Sequence, residues 1–155
     1  MKKSALIFGA TGEVGRAVAQ KLLVAGYNLS LWSENQERQQ DLLGMISAAK
    51  DKSTVVEVVR VDLSETQDFH TLESSWEKFA GFDLVVLCAG YAQSASGTQK
   101  PFDELQRYFM VNTISPGLFL RKFLSLAKTH RRLADVVYVS STSKDATIPT
   151  VYGIT

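Results

Sequence analysis

The 155-residue sequence predicts an α/β fold: an open, doubly wound parallel sheet of about five strands with helices on both faces. Three observations predict it. Short runs of valine, leucine and isoleucine recur along the chain, apolar throughout as strands covered on both faces are. Segments with apolar residues at helical spacing separate these runs, so strand and helix alternate as in βαβ units. A glycine-punctuated turn, Gly9-Ala10-Thr11-Gly12-Glu13-Val14-Gly15, joins the first strand to the first helix.

Each element follows in order. Residues 4–10 (SALIFGA) form a short buried strand ending in glycine. Val14, Ala17, Val18, Leu22 and Ala25 fall on one helical face, and Gly26 is placed to end that helix. Residues 27–32 (YNLSLW) are the second strand, and Leu42, Met45, Ile46 and Ala49 mark the second helix. Valine-rich residues 53–63 are the third strand; Leu63 to Ala80 is a helix with Phe69, Leu72, Trp76 and Phe79 on one face. Residues 82–90 (FDLVVLCAG) make a fourth, central strand. A long helix is expected from about Phe102 to about Lys128, kinked where Pro116 removes a hydrogen bond. Residues 134–141 (ADVVYVSS) are the fifth strand. Right-handed crossovers then give the strand order 3-2-1-4-5, a Rossmann-type arrangement. Its switch point lies between the first and fourth strands, and a ligand belongs at their carboxyl ends.

Composition narrows the function classes. The chain is long enough for one domain with a core, residues 1–155, and shows no linker, repeat or low-complexity tract. Charges are mixed and the formal net charge is +1, which gives no electrostatic reason to expect nucleic acid or a membrane surface as partner. The single cysteine, Cys88, forms no internal disulfide and reads as a buried thiol, which fits a cytoplasmic setting. The apolar run after Met1-Lys2-Lys3 is broken at once by the glycine turn, leaving no room for a signal-peptide core. His70 and His130 fall on polar helix edges and read as solvated, Trp32 reads as a packing residue, and no metal-ligand spacing occurs.

The glycine turn carries the chemistry. Glycine permits a tight turn and close backbone approach to a pyrophosphate, and the following helix offers free N–H donors and a positive dipole end. The other reading is three glycines as turn punctuation. Glu13 is unfavourable beside a pyrophosphate unless it points into solvent. Ribose recognition belongs at the end of the second strand, at Ser33 and Glu34. A carboxylate accepts hydrogen bonds from ribose hydroxyls and repels a 2′-phosphate, so a groove-facing Glu34 leans towards NAD over NADP. A solvated residue at the start of the next helix is the competing reading, and Arg16 and Arg38 are possible phosphate partners.

Several motifs in this order resemble the N-terminal part of a short-chain dehydrogenase/reductase, over nearly the whole chain. Gly9, Gly12 and Gly15, with Thr11, Glu13 and Val14 between them, match the cofactor loop in the GxxGxxG spacing of the extended and atypical branches; the classical branch has glycine where Glu13 stands. Asp62-Leu63 matches the aspartate that meets adenine. Cys88-Ala89-Gly90 sits where the family's NNAG motif ends the fourth strand, with Leu87 and Cys88 replacing the two asparagines. Asn112 matches the asparagine of the long helix, residues 136–141 (VVYVSS) match the strand bearing the active-site serine, and Tyr152 matches the tyrosine of YxxxK.

The resemblance implies hydride transfer between NAD or NADP and an alcohol or carbonyl carbon. It makes Tyr152 the acid/base, Ser141 the polarising hydroxyl, with Ser140 as runner-up, and Asn112 the organiser of a proton relay. A tyrosine of ordinary pKa about 10 is a poor base at neutral pH and needs a neighbouring cation. The family lysine would follow Thr155, so the sequence reads as truncated before it, with the C-terminal part of the family fold missing and little or no turnover expected. A homo-oligomer is implied for the complete protein. The alternative is a non-catalytic dinucleotide-binding or redox-sensing module. A Rossmann-like domain for another nucleotide leaves Asp62 and Cys88-Ala89-Gly90 unexplained.

Overall fold

A computed structural model describes residues 2–65, 69–91 and 102–139. Strands β1 (Ser4–Phe8), β2 (Asn28–Ser33), β3 (Val56–Arg60), β4 (Leu84–Leu87) and β5 (Asp135–Tyr138) alternate with helices α1 (Glu13–Val24), α2 (Gln36–Ala49), α3 (Thr71–Phe79), α4 (Phe102–Phe109) and α5 (Ser115–Thr129). All four strand pairings are parallel and the order is β3-β2-β1-β4-β5, as the sequence predicts. No helix among the described residues is long and apolar enough to cross a membrane.

Period-two alternation divides the core into two layers. Ala5, Ile7, Leu29 and Leu31 face one way and pack with Ala19 and Leu23 of α1 and Leu42 and Ile46 of α2. Leu6, Phe8, Val85 and Leu87 face the other way, against Leu72, Trp76 and Phe79 of α3 and Phe119 and Phe123 of α5. With both faces covered, every residue of β1 is buried, which is why the strand carries no polar alternation. Trp32 packs in the second layer, its ring 5.8 Å from Phe119 and 6.1 Å from Phe8.

A charged group sits within that layer. Glu57, paired in register with Ser30, accepts hydrogen bonds at Oε2 from Ser30 Oγ (2.8 Å) and Ser75 Oγ (2.6 Å), while Lys78 Nζ donates to Oε1 at 3.2 Å. Trp32 Nε1 donates in turn to Ser30 Oγ at 2.8 Å. The carboxylate, only partly exposed, is thus paired and hydrogen-bonded, as a charge drawn away from water requires.

Three elements depart from expectation. Helix α1 buries Gly15, Ala19 and Leu23, whereas Val14 and Ala17 are exposed: the close fit of Gly15 under the turn rotates the helix and selects its buried face. The expected helix from Leu63 begins only at Thr71. Asp62 Oδ1 accepts from the N–H and hydroxyl of Ser64, at 2.9 and 2.6 Å, and this local turn competes with helix. Phe69 then adopts a left-handed backbone (φ 54°), costly for an aromatic residue, with its ring packed against Phe8 and Phe119. Last, the long helix is not a kinked α-helix. A π-helical turn, Met110–Ile114, separates α4 from α5, and Ser115 N–H donates to the Met110 carbonyl. Pro116 therefore stands in the first turn of α5, where its missing N–H breaks no interior bond.

Candidate active site

At the switch point the glycine turn is held by neighbouring strands. Gly9 and Ala10 both donate their N–H to the Trp32 carbonyl, at 2.8 and 3.0 Å, and Cys88 N–H donates to the Phe8 carbonyl at 2.9 Å. Gly9 has φ +92°, and a Cβ there would lie 2.5 Å from the Ala89 nitrogen. A Cβ on Gly15 would lie 2.2 Å from the Gly9 carbonyl oxygen. Both positions therefore require glycine on steric grounds. Gly12 is exposed and begins α1 without a side-chain cap, so no side chain of its own competes for the first helical N–H groups. Glu13 and Val14 of the first turn are exposed, which leaves Glu13 free of the cost of burial near an anion. Arg16 ties the turn down: Nε donates to the Thr11 carbonyl at 3.1 Å and Nη2 to the Arg38 carbonyl at 3.4 Å.

This turn opens on a cleft of about 830 Å³, ample for a nucleotide. Gly9, Thr11 and Gly12 form its floor, and Ser33 and Glu34 one wall. Leu63, Cys88, Ala89 and Gly90 line it as well. Of the other residues predicted for the cofactor, Gly15 lies beneath the turn, and Asp62 directs Oδ1 into its own turn with Ser64. Asn35 caps α2, with Oδ1 accepting from Arg38 N–H at 2.9 Å, so Glu34 precedes the helix and faces the cleft. Buried Gln39 donates from Nε2 to the Ser33 carbonyl (2.8 Å), Ser33 Oγ (3.1 Å) and the Val59 carbonyl (3.2 Å), locking the ends of β2 and β3 beneath Glu34.

The opposite wall is organised by Asn112, only 7% exposed. Its Oδ1 accepts from Tyr91 N–H at 2.7 Å and its Nδ2 donates to the Tyr91 carbonyl at 3.1 Å. The Asn112 carbonyl accepts from Tyr138 Oη at 2.6 Å. In an α-helix that carbonyl would meet the N–H of residue 116, which proline lacks. Tyr91, so fixed, carries the guanidinium of Arg107 at 4.8 Å from its ring centre, and Arg107 Nη2 reaches across to Glu34 Oε1 at 3.3 Å.

Burial pushes the Cys88 thiol up to about 11, and its Sγ donates to the Phe8 carbonyl at 3.2 Å. It remains protonated at neutral pH, consistent with a partly buried, unreactive thiol. Ser140, Ser141 and Tyr152 lie outside the described residues.

The sequence reading missed Tyr91, Arg60, Val111 and Arg107 as cleft residues. A signal existed for two of them: Val111 adjoins the motif residue Asn112, and Arg107 stands four residues before Val111.

Comparison with known proteins bears on the whole chain. The family model described as short chain dehydrogenase matches residues 3–153. The L-2,3-butanediol dehydrogenase of Corynebacterium glutamicum is 27% identical over 118 residues, covering 74% of this chain and 45% of the relative. The vibriobactin-specific 2,3-dihydro-2,3-dihydroxybenzoate dehydrogenase of Vibrio cholerae is 26% identical over 141 residues, covering 88% of this chain and 52% of that protein. The chain thus spans about half the length of these relatives. Among solved structures, a bulky-bulky ketone specific alcohol dehydrogenase from Comamonas testosteroni superposes with a TM-score of 0.84 at 21% identity, covering 99% of this chain and 63% of that one. ElxO with NADP bound does so with a TM-score of 0.84 at 20% identity, covering 99% and 62%.

Proposed function

Because the chain belongs to the short-chain dehydrogenase family, we propose that the cleft holds a nicotinamide dinucleotide in an oxidoreductase acting on an alcohol or carbonyl compound. When bound, the nicotinamide supplies or accepts the hydride. The observation that carries the proposal is the cradle at the switch point, where Gly9 and Gly15 admit no Cβ and α1 begins without a side-chain cap. Such a cradle suits a pyrophosphate, which can approach the backbone of residues 9–12 and the first N–H groups of the helix.

The chain's other residues have distinct tasks in this reading. Leu63, Ala89, Gly90 and Val111 offer an apolar slot for the adenine, and Glu34 stands where ribose hydroxyls need an acceptor. Tyr152 Oη gives its proton to the substrate oxygen on reduction and takes it back on oxidation. The Ser141 hydroxyl donates to that same oxygen and polarises it. Asn112 acts through Tyr91, holding the β4 end in place.

A second reading, dinucleotide binding without turnover, is favoured by one observation. Both ends of the Asn112 amide and its carbonyl already bond to protein groups, so Asn112 has a complete structural role without any proton relay. The test is carbonyl-dependent oxidation of NADH or NADPH in the whole protein, with Tyr152→Phe. Turnover that falls about 100-fold or more at unchanged cofactor affinity supports the oxidoreductase. Saturable binding with no turnover on a broad panel of ketones and aldehydes supports the second reading.

A further inference from the structure

Arg107 bridges the two walls of the cleft. From α4 its Nη2 reaches both carboxylate oxygens of Glu34, at 3.3 and 3.4 Å. Its Nε is buried and has no hydrogen-bond partner among the described residues. A guanidinium carries five N–H donors in a rigid fork suited to phosphate, and Glu34 leaves part of that capacity unused. The Glu34–Arg107 pair is half-exposed on both sides, so exchanging one partner for a stronger anion costs little. Arg38 and Arg60 line the same cleft, where the acidic side chains are those of Glu34 and Glu37. The cations outnumber the acids where a lone Glu34 would argue for their absence.

Resting on the dinucleotide reading above, we propose that Arg107 is a specificity-determining residue for the adenosine half of the cofactor. It neutralises Glu34 in the free protein and exchanges that carboxylate for a 2′-phosphate in the complex. The site then accepts the 2′-phosphorylated dinucleotide at least as well as NAD, against the lean that Glu34 alone imposes. Tyr91 supports the exchange by carrying the guanidinium on its ring face through the change of partner.

The half-ligands 5′-ADP and 2′,5′-ADP isolate this question from the nicotinamide and from catalysis. Calorimetric titration of the wild-type chain should give 2′,5′-ADP an affinity equal to or above that of 5′-ADP. Arg107→Gln should weaken 2′,5′-ADP about ten-fold or more while moving 5′-ADP by less than about three-fold. Glu34→Gln should strengthen 2′,5′-ADP, and in the double variant the two effects should fail to add. Arg107→Lys, which keeps the charge and loses the fork, should fall between. An Arg107→Gln variant that weakens both ligands equally, or neither, overturns the proposal. A wild-type chain that binds 5′-ADP and rejects 2′,5′-ADP overturns it while leaving the dinucleotide site standing. Binding of neither half-ligand nor of NADH or NADPH brings down both.

Discussion

The side-chain amide of Asn112 pairs with both backbone groups of Tyr91, accepting its N–H at 2.7 Å and donating to its carbonyl at 3.1 Å. One side chain from the π-helical turn thus does for Tyr91 what a neighbouring strand does for a ladder residue. The turn is held in its own place by Tyr138, whose hydroxyl donates to the Asn112 carbonyl, four residues before Pro116. Sheet, π turn and cleft wall are thereby coupled through two hydrogen-bonded residues.

Asn112→Leu removes both bonds and leaves two Tyr91 backbone groups to find water. The expected loss is about 2 kcal/mol of stability, read from urea unfolding. Asn112→Asp keeps the acceptor for Tyr91 N–H but sets a carboxylate oxygen against the Tyr91 carbonyl. It should cost at least as much as leucine, a result that shape alone does not produce.

Gly12→Asp should separate binding from folding. A Cβ there meets only the Gly9 carbonyl, at an ordinary 3.5 Å, and aspartate is a good N-cap for α1. Stability should hold or rise by a few tenths of a kcal/mol, roughly the difference between aspartate and glycine at a cap. Nucleotide binding should be lost, because the new carboxylate takes the helix donors and repels phosphate. Unfolding midpoint and NADH titration on the same sample read both.

Gly15→Ala and Gly44→Ala should move in opposite directions. The first drives a Cβ to 2.2 Å from the Gly9 oxygen and should cost about 2 kcal/mol or more. The second adds a methyl group within α2 where no atom lies within 4 Å, and should gain about 0.5–1 kcal/mol from better helix propensity. Parallel thermal melts of the two variants suffice.

Glu57→Leu strips the acceptor from two buried hydroxyls, Ser30 Oγ and Ser75 Oγ, and a counter-ion from Lys78. The expected cost is about 3 kcal/mol. Since Ser30 Oγ also holds Trp32 Nε1, the variant should shift the tryptophan emission before global unfolding.

Cys88 gives a pH signature. Its folded-state thiol is pushed up to about 11 from the ordinary 9.0, so the unfolded chain loses that proton first. The stability it contributes is whole below about pH 9 and declines as pH rises towards 11. Wild type should lose stability over that window faster than Cys88→Ala, and iodoacetamide should label the native thiol slowly at neutral pH.

Sheet order, strand positions and most of the cleft were legible because they follow from local signals. Buried parallel strands are continuously apolar, and the glycine spacing marks a turn that two close backbone contacts demand. Two departures from the sequence pattern have local causes too. The buried face of α1 escapes the apolar pattern because Gly15, which has no side chain to count as apolar, is what sits against the turn. Helix α3 is shorter than the periodicity of Phe69 and Leu72 implies because the Asp62–Ser64 turn stands in front of them. Pro116 announced an irregularity, but its form, a π turn closed by Tyr138, depends on a residue 22 positions along the chain. The Glu34–Arg107 pair joins positions 73 apart, and no spacing rule reaches that far.

The central claim is that a dinucleotide lies across the β1–β4 switch point. Backbone amide NMR of the labelled chain, titrated with NADH and NADPH, tests it most directly. The account predicts saturable shifts concentrated at residues 9–15, 33–34 and 88–91, abolished together by Gly12→Asp. Shifts that never saturate, or that cluster on another face of the sheet, would contradict it.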